Sequence, residues 1–367
     1  MNALMKTEIH PPKIRELRVR AVRVPMQQPH QTVSGTISES PLVLTDVTTE
    51  DGIVGHSMIF TYNVASLKPT AVLINNLEPL VNREPLAPTE IADRLAKRFR
   101  LLGVQGLVGM AIAAIDMALW DALARSHNIS LVQLLGSTEK PIPAYGAVGY
   151  DGAAGSANTA EHWAKLGFKG VKAKIGYPTV KEDLEVVRAM RKAVGDEIAI
   201  MVDYNQSLTP PEAVRRLRVL DDEGLAWVEE PVLAHDYQGH ALVAREINTP
   251  IQCGENWWGA HDMKHAIEAS ASDYMMPDVM KIGGVTGWMR AAALAEVHGI
   301  PLSNHLWPEI SMQLMCATPT AHFLEYVDWW NPVIAEPLQI EQGMATVKGV
   351  FGTGVAWNEQ AVERFSA

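Results

Sequence analysis

The sequence predicts a two-part chain: an α+β domain of about 135 residues, then a closed barrel of parallel strands and helical crossovers. Three observations carry this. Up to Leu135 strand-like patterns come first and helix-like patterns follow, the order of an α+β layer. From Ile142 onward the two patterns alternate, as parallel strands joined by helices require. Strand-like runs then end in Asp203, Glu229, Glu255, Asp278, His305 and Glu325, at intervals of 26, 26, 23, 27 and 20 residues. One strand, one helix and two loops need about that much chain. A length of 367 residues also exceeds one ordinary core, so two domains are expected.

Composition bounds the function. Apolar residues make up 47% of the chain, enough for a sizeable core. The net charge is −11 and no long basic run occurs, which argues against nucleic acid and anionic membranes as partners. A small anionic substrate stays open, because a local site can be positive on an acidic protein. Cys253 and Cys316 make neither a disulfide framework nor a thiolate metal site, and fit a reducing compartment. The stretch from Met1 to Glu16 carries Lys6, Lys13 and Arg15 but no apolar segment of a secretion signal, and no apolar run of membrane-spanning length is read. The expectation is a soluble, cytoplasmic protein.

Residues 15–25 alternate apolar and polar side chains and read as a strand. Strands over 42–49 and 53–59 follow, with Glu50-Asp51-Gly52 as a hairpin turn. Residues 26–41 are polar and rich in Gln, Ser and Thr; they read as a long loop, either a lid or a surface excursion. Helices are expected over 65–80, over 89–98 with Thr89 as N-cap, and over 109–126. The last is apolar on nearly every side and belongs in a core. A short helix over 131–135 stops at Gly136. Pro141-Ile142-Pro143 marks a boundary, giving a first domain over 1–140 and a barrel over 141–330. Residues 331–367 are too few for another domain and are expected to return to the first. Barrel strands are read at 144–148, 171–175, 199–203, 227–229, 251–254, 274–277, 302–304 and 323–326. Helices such as 180–194, 211–223 and 286–298 lie between them, with Pro210-Pro211 as a start signal and Gly195, Gly224 and Gly299 as stops.

Strand alternation puts Val171, Ala173 and Ile175 on one face and Lys172 and Lys174 on the other. A lone pair of that kind is most often half-exposed, with its lysines in water. The later strand ends change the reading, since strand C-termini of a parallel barrel gather at one mouth. Asp203, Glu229 and Glu255 then converge. Singly, each is more often a cap or a solvated loop residue. Together they repel unless a cation joins them. All-oxygen ligation points to magnesium, with manganese as the alternative occupant. Lys172 and Lys174 disfavour one another's charge, so Lys174 is expected to be neutral near pH 7 and able to act as a base, while Lys172 stays cationic and holds a carboxylate. Asp278 bonded to one nitrogen of His305 fixes the tautomer and ring orientation. Glu325 reads equally as a surface glutamate or as a protonated hydrogen-bond donor. A base on each side of a metal-bound carboxylate suits removal of an α-proton, an enediolate, and return of a proton to the opposite face.

Four long runs carry a family resemblance: Val171-Lys172-Ala173-Lys174-Ile175-Gly176-Tyr177-Pro178, Ile200-Met201-Val202-Asp203-Tyr204-Asn205-Gln206-Ser207-Leu208, Met280-Lys281-Ile282-Gly283-Gly284-Val285-Thr286-Gly287-Trp288 and Ala317-Thr318-Pro319-Thr320-Ala321-His322. Through them nearly the whole chain resembles the enolase superfamily and, within it, the mandelate racemase group. The resemblance implies an α+β capping domain on a modified TIM barrel of (β/α)7β form. It implies Asp203, Glu229 and Glu255 as magnesium ligands. It makes Lys174, with Lys172 beside it, the base for one enantiomer and His305 with Asp278 the base for the other. Glu325 becomes the acid bonded to the substrate carboxylate in the enediolate, and Asn205 and Lys281 take supporting roles. Homo-oligomers, commonly octamers, are implied as well.

Two departures bear on the substrate. The group carries a serine at the end of the first barrel strand; here Ala147 takes its place, removing a hydrogen bond of order 1 kcal/mol or somewhat more. The group's lid is mainly apolar, whereas here it includes Gln28, His30, Gln31 and Ser34, with Tyr62 retained as a lining residue. The expected activity is a magnesium-dependent racemase or epimerase of a 2-hydroxy carboxylate. The runner-up is an acid-sugar dehydratase of the same superfamily, in which the enediolate expels a β-hydroxyl with His305 as acid. A non-catalytic carboxylate binder would need the metal site but not two opposed bases.

Overall fold

The computed structural model describes residues 11–32 and 35–367. Residues 1–10, part of the stretch read for a leader, and Ser34 of the expected lid lie outside the described residues. The chain opens with an antiparallel sheet of β1 (Ile14–Thr32), β2 (Gly35–Thr49) and β3 (Val54–Phe60), in that order. The loop expected over 26–41 is an extension of β1 and β2 instead. Beyond a register shift between Pro25 and His30, His30 pairs with Ile37, Gln31 with Thr36 and Thr32 with Gly35. This ribbon was hidden because its polar run lacks the alternation that marks a half-buried strand, and Pro25 and Pro29 lack ladder donors.

Helices α1 (Val64–Asn76), α2 (Glu78–Val81), α3 (Pro88–Arg98), α4 (Gly106–Ser126) and α5 (Leu131–Leu134) follow. The single helix expected over 65–80 is divided at Leu77. Pro79 has no N–H for the Asn75 carbonyl and its ring would clash with it. Pro88 takes a first-turn position of α3, so Ala87 is the N-cap and Thr89 caps nothing. Helix α4, with mean hydropathy 1.7 over its most apolar window, is long and apolar enough to cross a membrane, which corrects the reading that no such run exists. In the structure 78% of that window is buried, and α4 packs on β2, β3, α1 and α3. Gly55 allows the close approach: a Cβ there would lie 2.1 Å from the Ala118 carbonyl oxygen.

The barrel consists of β4 (Ile142–Val148), β5 (Gly170–Lys174), β6 (Ala199–Asp203), β7 (Trp227–Glu229), β8 (Ile251–Cys253) and β9 (Tyr274–Met275), paired in parallel in that order. Single bridges take Met275 to Leu302 and Leu302 to Ala321, and β10 (Leu324–Tyr326) pairs with β4 to close the ring. The seventh strand, expected over 302–304, is reduced to bridges at Leu302 and His305. The Asn304 side chain replaces part of its ladder, donating to the Leu306 carbonyl and accepting from Glu325 N at 2.8 Å. Crossovers α6 (Gly152–Lys165), α7 (Val180–Val194), α8 (Pro210–Leu220), α9 (Tyr237–Glu246), α10 (Ala260–Ala269), α11 (Gly284–His298) and α12 (Pro308–Ala317) complete a (β/α)7β arrangement. Tyr145, Met201 and Trp227 pack together as a separate buried cluster.

After a 3-10 turn at Asn331–Val333, the chain forms β11 (Ile340–Glu341), β12 (Met344–Ala345) and α13 (Glu359–Arg364). β12 pairs antiparallel with the start of β4, Met344 opposite Pro143. Farther on, Trp357 donates to Asp46 Oδ1 at 2.6 Å, and Ser366 bridges Val22. These contacts tie the barrel to the first sheet.

Candidate active site

The strand ends bring the acids together. β5 pairs with β6 so that Lys174 lies opposite Asp203, and β6 with β7 so that Asp203 lies opposite Glu229. Glu255 follows β8 through Gly254, whose backbone has φ +140° and lies close to Met276. One oxygen from each of Asp203, Glu229 and Glu255 lies within 4.8 Å of the others, and all three residues are buried. Glu255 Oε2 makes no hydrogen bond. A buried donor set of carboxylates only, with an unbonded oxygen, fits a hard divalent cation.

Lys172 and Lys174 point into this cluster. The Lys172 ammonium pairs with Glu229, lies 2.8 Å from Glu325 Oε1 and 3.9 Å from Asp203 Oδ2. The Lys174 ammonium lies 2.6 Å from Asp203 Oδ2. Burial acts most strongly against the charge on Lys174 and Lys172 adds to it, but Asp203, Glu255 and Glu229 together outweigh both, so its pKa is raised. Against the neutral Lys174 expected from Lys172 alone, the carboxylates without a cation favour the charged form: Asp203 on the neighbouring strand, with Glu255 and Glu229, outweighs Lys172. Lys172 is likewise held well above its ordinary value, since Glu229 and Glu325 overcome its burial. Glu325 departs from both of its readings: it is buried, so it is no surface glutamate, and the surrounding charges favour its ionised form over the protonated donor. Burial pushes its pKa up, but Lys172 and His305, with the Leu306 N–H donated to Oε2 at 2.9 Å, bring it below the ordinary value.

On the other side of the triad, His305 Nδ1 lies 2.7 Å from Asp278 Oδ2 and its Nε2 lies 3.3 Å from Glu255 Oε2. Asp278 Oδ1 accepts from the backbone N–H groups of Met280 and Lys281 at 2.7 and 3.1 Å. That leaves Asp278 a saturated acceptor, with the Nδ1 proton of His305 directed to it. Glu255 is held below its usual range: burial opposes its charge, and His305, Lys174 and Lys281 overcome that. Glu229 goes the other way, raised by burial more than Lys172 lowers it.

Of the supporting residues, Asn205 clamps Asp203, its N–H donating to Oδ1 at 2.7 Å and its Nδ2 to Oδ2 at 3.0 Å. It does so from a left-handed backbone, φ 43°. Lys281 donates to Asn256 Oδ1 at 2.7 Å and lies 4.9 Å from the Tyr62 ring centre. Asn256 Nδ2 in turn lies 2.7 Å from Glu230 Oε2 and 3.0 Å from Glu255 Oε1. Glu230 and Asn256 were visible in the sequence only as neighbours of the acids, yet both are in this network. Glu230 is fully buried, with one oxygen unbonded and its pKa raised by burial and by Glu255. Its adjacency to Glu229 was the available signal; left-handed backbone at Glu230, φ 36°, turns both side chains inward.

A cavity of about 220 Å³ lies between the ribbon and the end of β4, lined by Gln28, His30, Gln31, Ala147, Asp151 and His162 among others; neither lysine nor any acid of the triad lines it. His30 is buried against the Trp329 ring, 4.9 Å between centres. Burial and the nearby Lys174 push its pKa down to about 3, so it meets the cavity as a neutral ring.

Residues 14–136 match the family model described as the N-terminal domain of mandelate racemase / muconate lactonizing enzyme, and residues 155–361 the model described as enolase C-terminal domain-like. Among solved structures, an enolase from Bradyrhizobium complexed with magnesium and mandelic acid is 42% identical, with a TM-score of 0.95 over 98% of this chain and 99% of that one. L-talarate/galactarate dehydratase of Salmonella typhimurium is 29% identical over 333 residues, 89% of this chain and 82% of the dehydratase. Hydrophobic dipeptide epimerase of Enterococcus faecalis is 28% identical over 294 residues, 78% of this chain and 80% of the epimerase.

Proposed function

The chain belongs to the mandelate racemase / muconate lactonizing enzyme family of the enolase superfamily, and from that premise we propose a magnesium-dependent racemase or epimerase that inverts the α-carbon of a 2-hydroxy carboxylate. The observation that supports it most is the flanking of one buried acid triad by two different bases, Lys174 beside Asp203 and His305 beside Glu255. Asp203, Glu229 and Glu255 would hold magnesium, which would supply positive charge for an enediolate and offset the acids that otherwise keep Lys174 protonated. Lys172 binds the substrate carboxylate. Lys174 moves the α-proton on one face and His305 Nε2 on the other, with Asp278 fixing the ring. An anion that draws Lys172 away from Glu325 raises the Glu325 pKa toward the protonated form, which donates to the substrate carboxylate. Asn205 and Lys281 position Asp203 and Asn256. Residues 1–140 act as the cap, with the ribbon as lid and Tyr62 and His30 facing the barrel mouth; residues 141–330 form the catalytic barrel and 331–367 return to the cap. A homo-oligomer, an octamer by the family resemblance, completes the reading.

The polar ribbon residues Gln28, His30 and Gln31 favour a second reading, an acid-sugar dehydratase, and the similarity to L-talarate/galactarate dehydratase supports it equally. Proton NMR in deuterated water with magnesium distinguishes them. Single enantiomers of mandelate, other 2-hydroxy acids and a panel of acid sugars are offered. Exchange at the α-carbon with inversion and no new product is expected for the racemase. Conversion of an acid sugar to a 2-keto-3-deoxy acid would replace that reading with the dehydratase.

A further inference from the structure

After the seventh barrel strand, Leu306 and Trp307 both adopt left-handed backbone, φ 51° and 57°. L-residues rarely take that conformation, and two in succession persist only where the surroundings hold them. Here the Leu306 carbonyl accepts from Asn304 Nδ2 at 2.7 Å and Ser311 Oγ at 2.9 Å, and the Trp307 carbonyl accepts from Ser311 N at 2.8 Å. The turn aims the Trp307 indole at the dyad: Nε1 donates to Asp278 Oδ2 at 3.0 Å. An indole nitrogen only donates, so the sense of this bond is fixed. Asp278 Oδ2 therefore receives both Trp307 Nε1 and His305 Nδ1, and Oδ1 receives two backbone N–H groups. Among these donors, the indole is a side chain that can be changed without touching a base or the backbone.

We propose that Trp307 is a positioning residue for one face of the reaction only. Its N–H anchors Asp278 Oδ2 and, through it, the His305 ring; Lys174, which is held by Asp203, does not depend on it. The proposal rests on the two-base reading above. Trp307 is also a buried core residue, stacked on Trp330 with 5.2 Å between ring centres and 24° between planes. Packing and hydrogen bonding must therefore be separated.

Two replacements do so. Trp307→Phe keeps an aromatic ring and removes the N–H. A benzothienylalanine in place of Trp307 keeps the bicyclic shape and also lacks the N–H. Trp330→Phe disturbs the stack without touching Asp278 and serves as the packing control. Each is assayed with magnesium in deuterated water for α-proton exchange from (R)- and (S)-mandelate separately. The enantiomer served by His305 is identified as the one whose exchange His305→Asn removes. On that enantiomer both Trp307 replacements are expected to slow exchange about tenfold to a hundredfold, with the other face within about twofold. Equal slowing of both faces, or none, overturns the proposal.

A second readout needs no turnover. In ¹⁵N-histidine NMR of the magnesium-loaded enzyme, the His305 Nδ1–H is expected to be protected and to exchange with water at least roughly tenfold faster in the benzothienylalanine variant than in wild type. An unchanged rate there overturns the proposal. If the wild type exchanges neither mandelate enantiomer, mandelate as the substrate fails, and this ring measurement alone decides the role of Trp307.

Discussion

Lys174 ends a regular strand, with Gly170 to Lys174 paired residue for residue to Ala199 to Asp203. Its position comes from the sheet, and its charge state from carboxylates, chiefly Asp203. His305 has no strand beneath it, only a single bridge to Asp278. Its position comes from directed hydrogen bonds onto an acceptor whose every oxygen is occupied. One flank is thus ordered by backbone and tuned by Coulomb forces, which act through space and sum over many groups. The other is ordered by short-range, angular contacts, which act one at a time. Changes in charge should disturb the lysine flank, and loss of single donors the histidine flank.

The largest effects come from removing each base. Lys174→Ala and His305→Asn are each expected to lower exchange of one enantiomer by about 10²- to 10⁴-fold while exchange of the other continues. NMR in deuterated water on separate enantiomers checks this. Loss of both faces in either variant would end the comparison between independent flanks. Next in size is Glu229→Gln. Lys172 is 3% exposed and pairs closely with Glu229. Breaking a buried pair from one side costs about 3–5 kcal/mol, so a large drop in urea midpoint is expected, together with loss of the rise in Tm that magnesium gives the wild type. Retained stability would mean that Glu325 alone satisfies Lys172. A smaller effect is expected of Asn205→Ala, which removes one of two Asn205 donors to Asp203. Magnesium affinity by calorimetry should fall about tenfold to a hundredfold, with both enantiomers affected alike because the metal serves both faces.

The convergence of Asp203, Glu229 and Glu255 was legible because a barrel converts sequence spacing into angular position: residues one β/α unit apart end neighbouring strands. The same reasoning located Lys172, Lys174 and His305. The charge states were not legible. Lys174 and Glu325 each depart from the expected form because their pKa values sum influences from strands far apart in sequence. Trp307 was invisible for another reason. It does not end a strand, and the turn that aims its N–H depends on left-handed backbone at two residues that carry no glycine signal. The ribbon over 26–41 was missed because its pairing is local and its faces show no alternation. At the ribbon and at Ala147 composition reports polarity but not shape.

The smallest effect concerns His240, a buried imidazole that faces a backbone carbonyl where His305 faces a carboxylate. His240 is 1% exposed, and its Nδ1 lies 3.2 Å from the Asp236 carbonyl oxygen. Its Nε2 is buried with no partner. Nδ1 must then carry the proton, and protonating Nε2 would bury an unpaired N–H. Burial lowers the pKa from 6.5 to about 4. Between those values the unfolded chain binds more protons than the folded one, so stability rises with pH across that window and is complete above it. The shift corresponds to at most about 3 kcal/mol. Urea midpoints at pH 5 and pH 7.5 should therefore differ less in His240→Leu than in wild type, whatever the other groups contribute to both. An identical pH difference in the two proteins would show that His240 escapes to solvent when protonated.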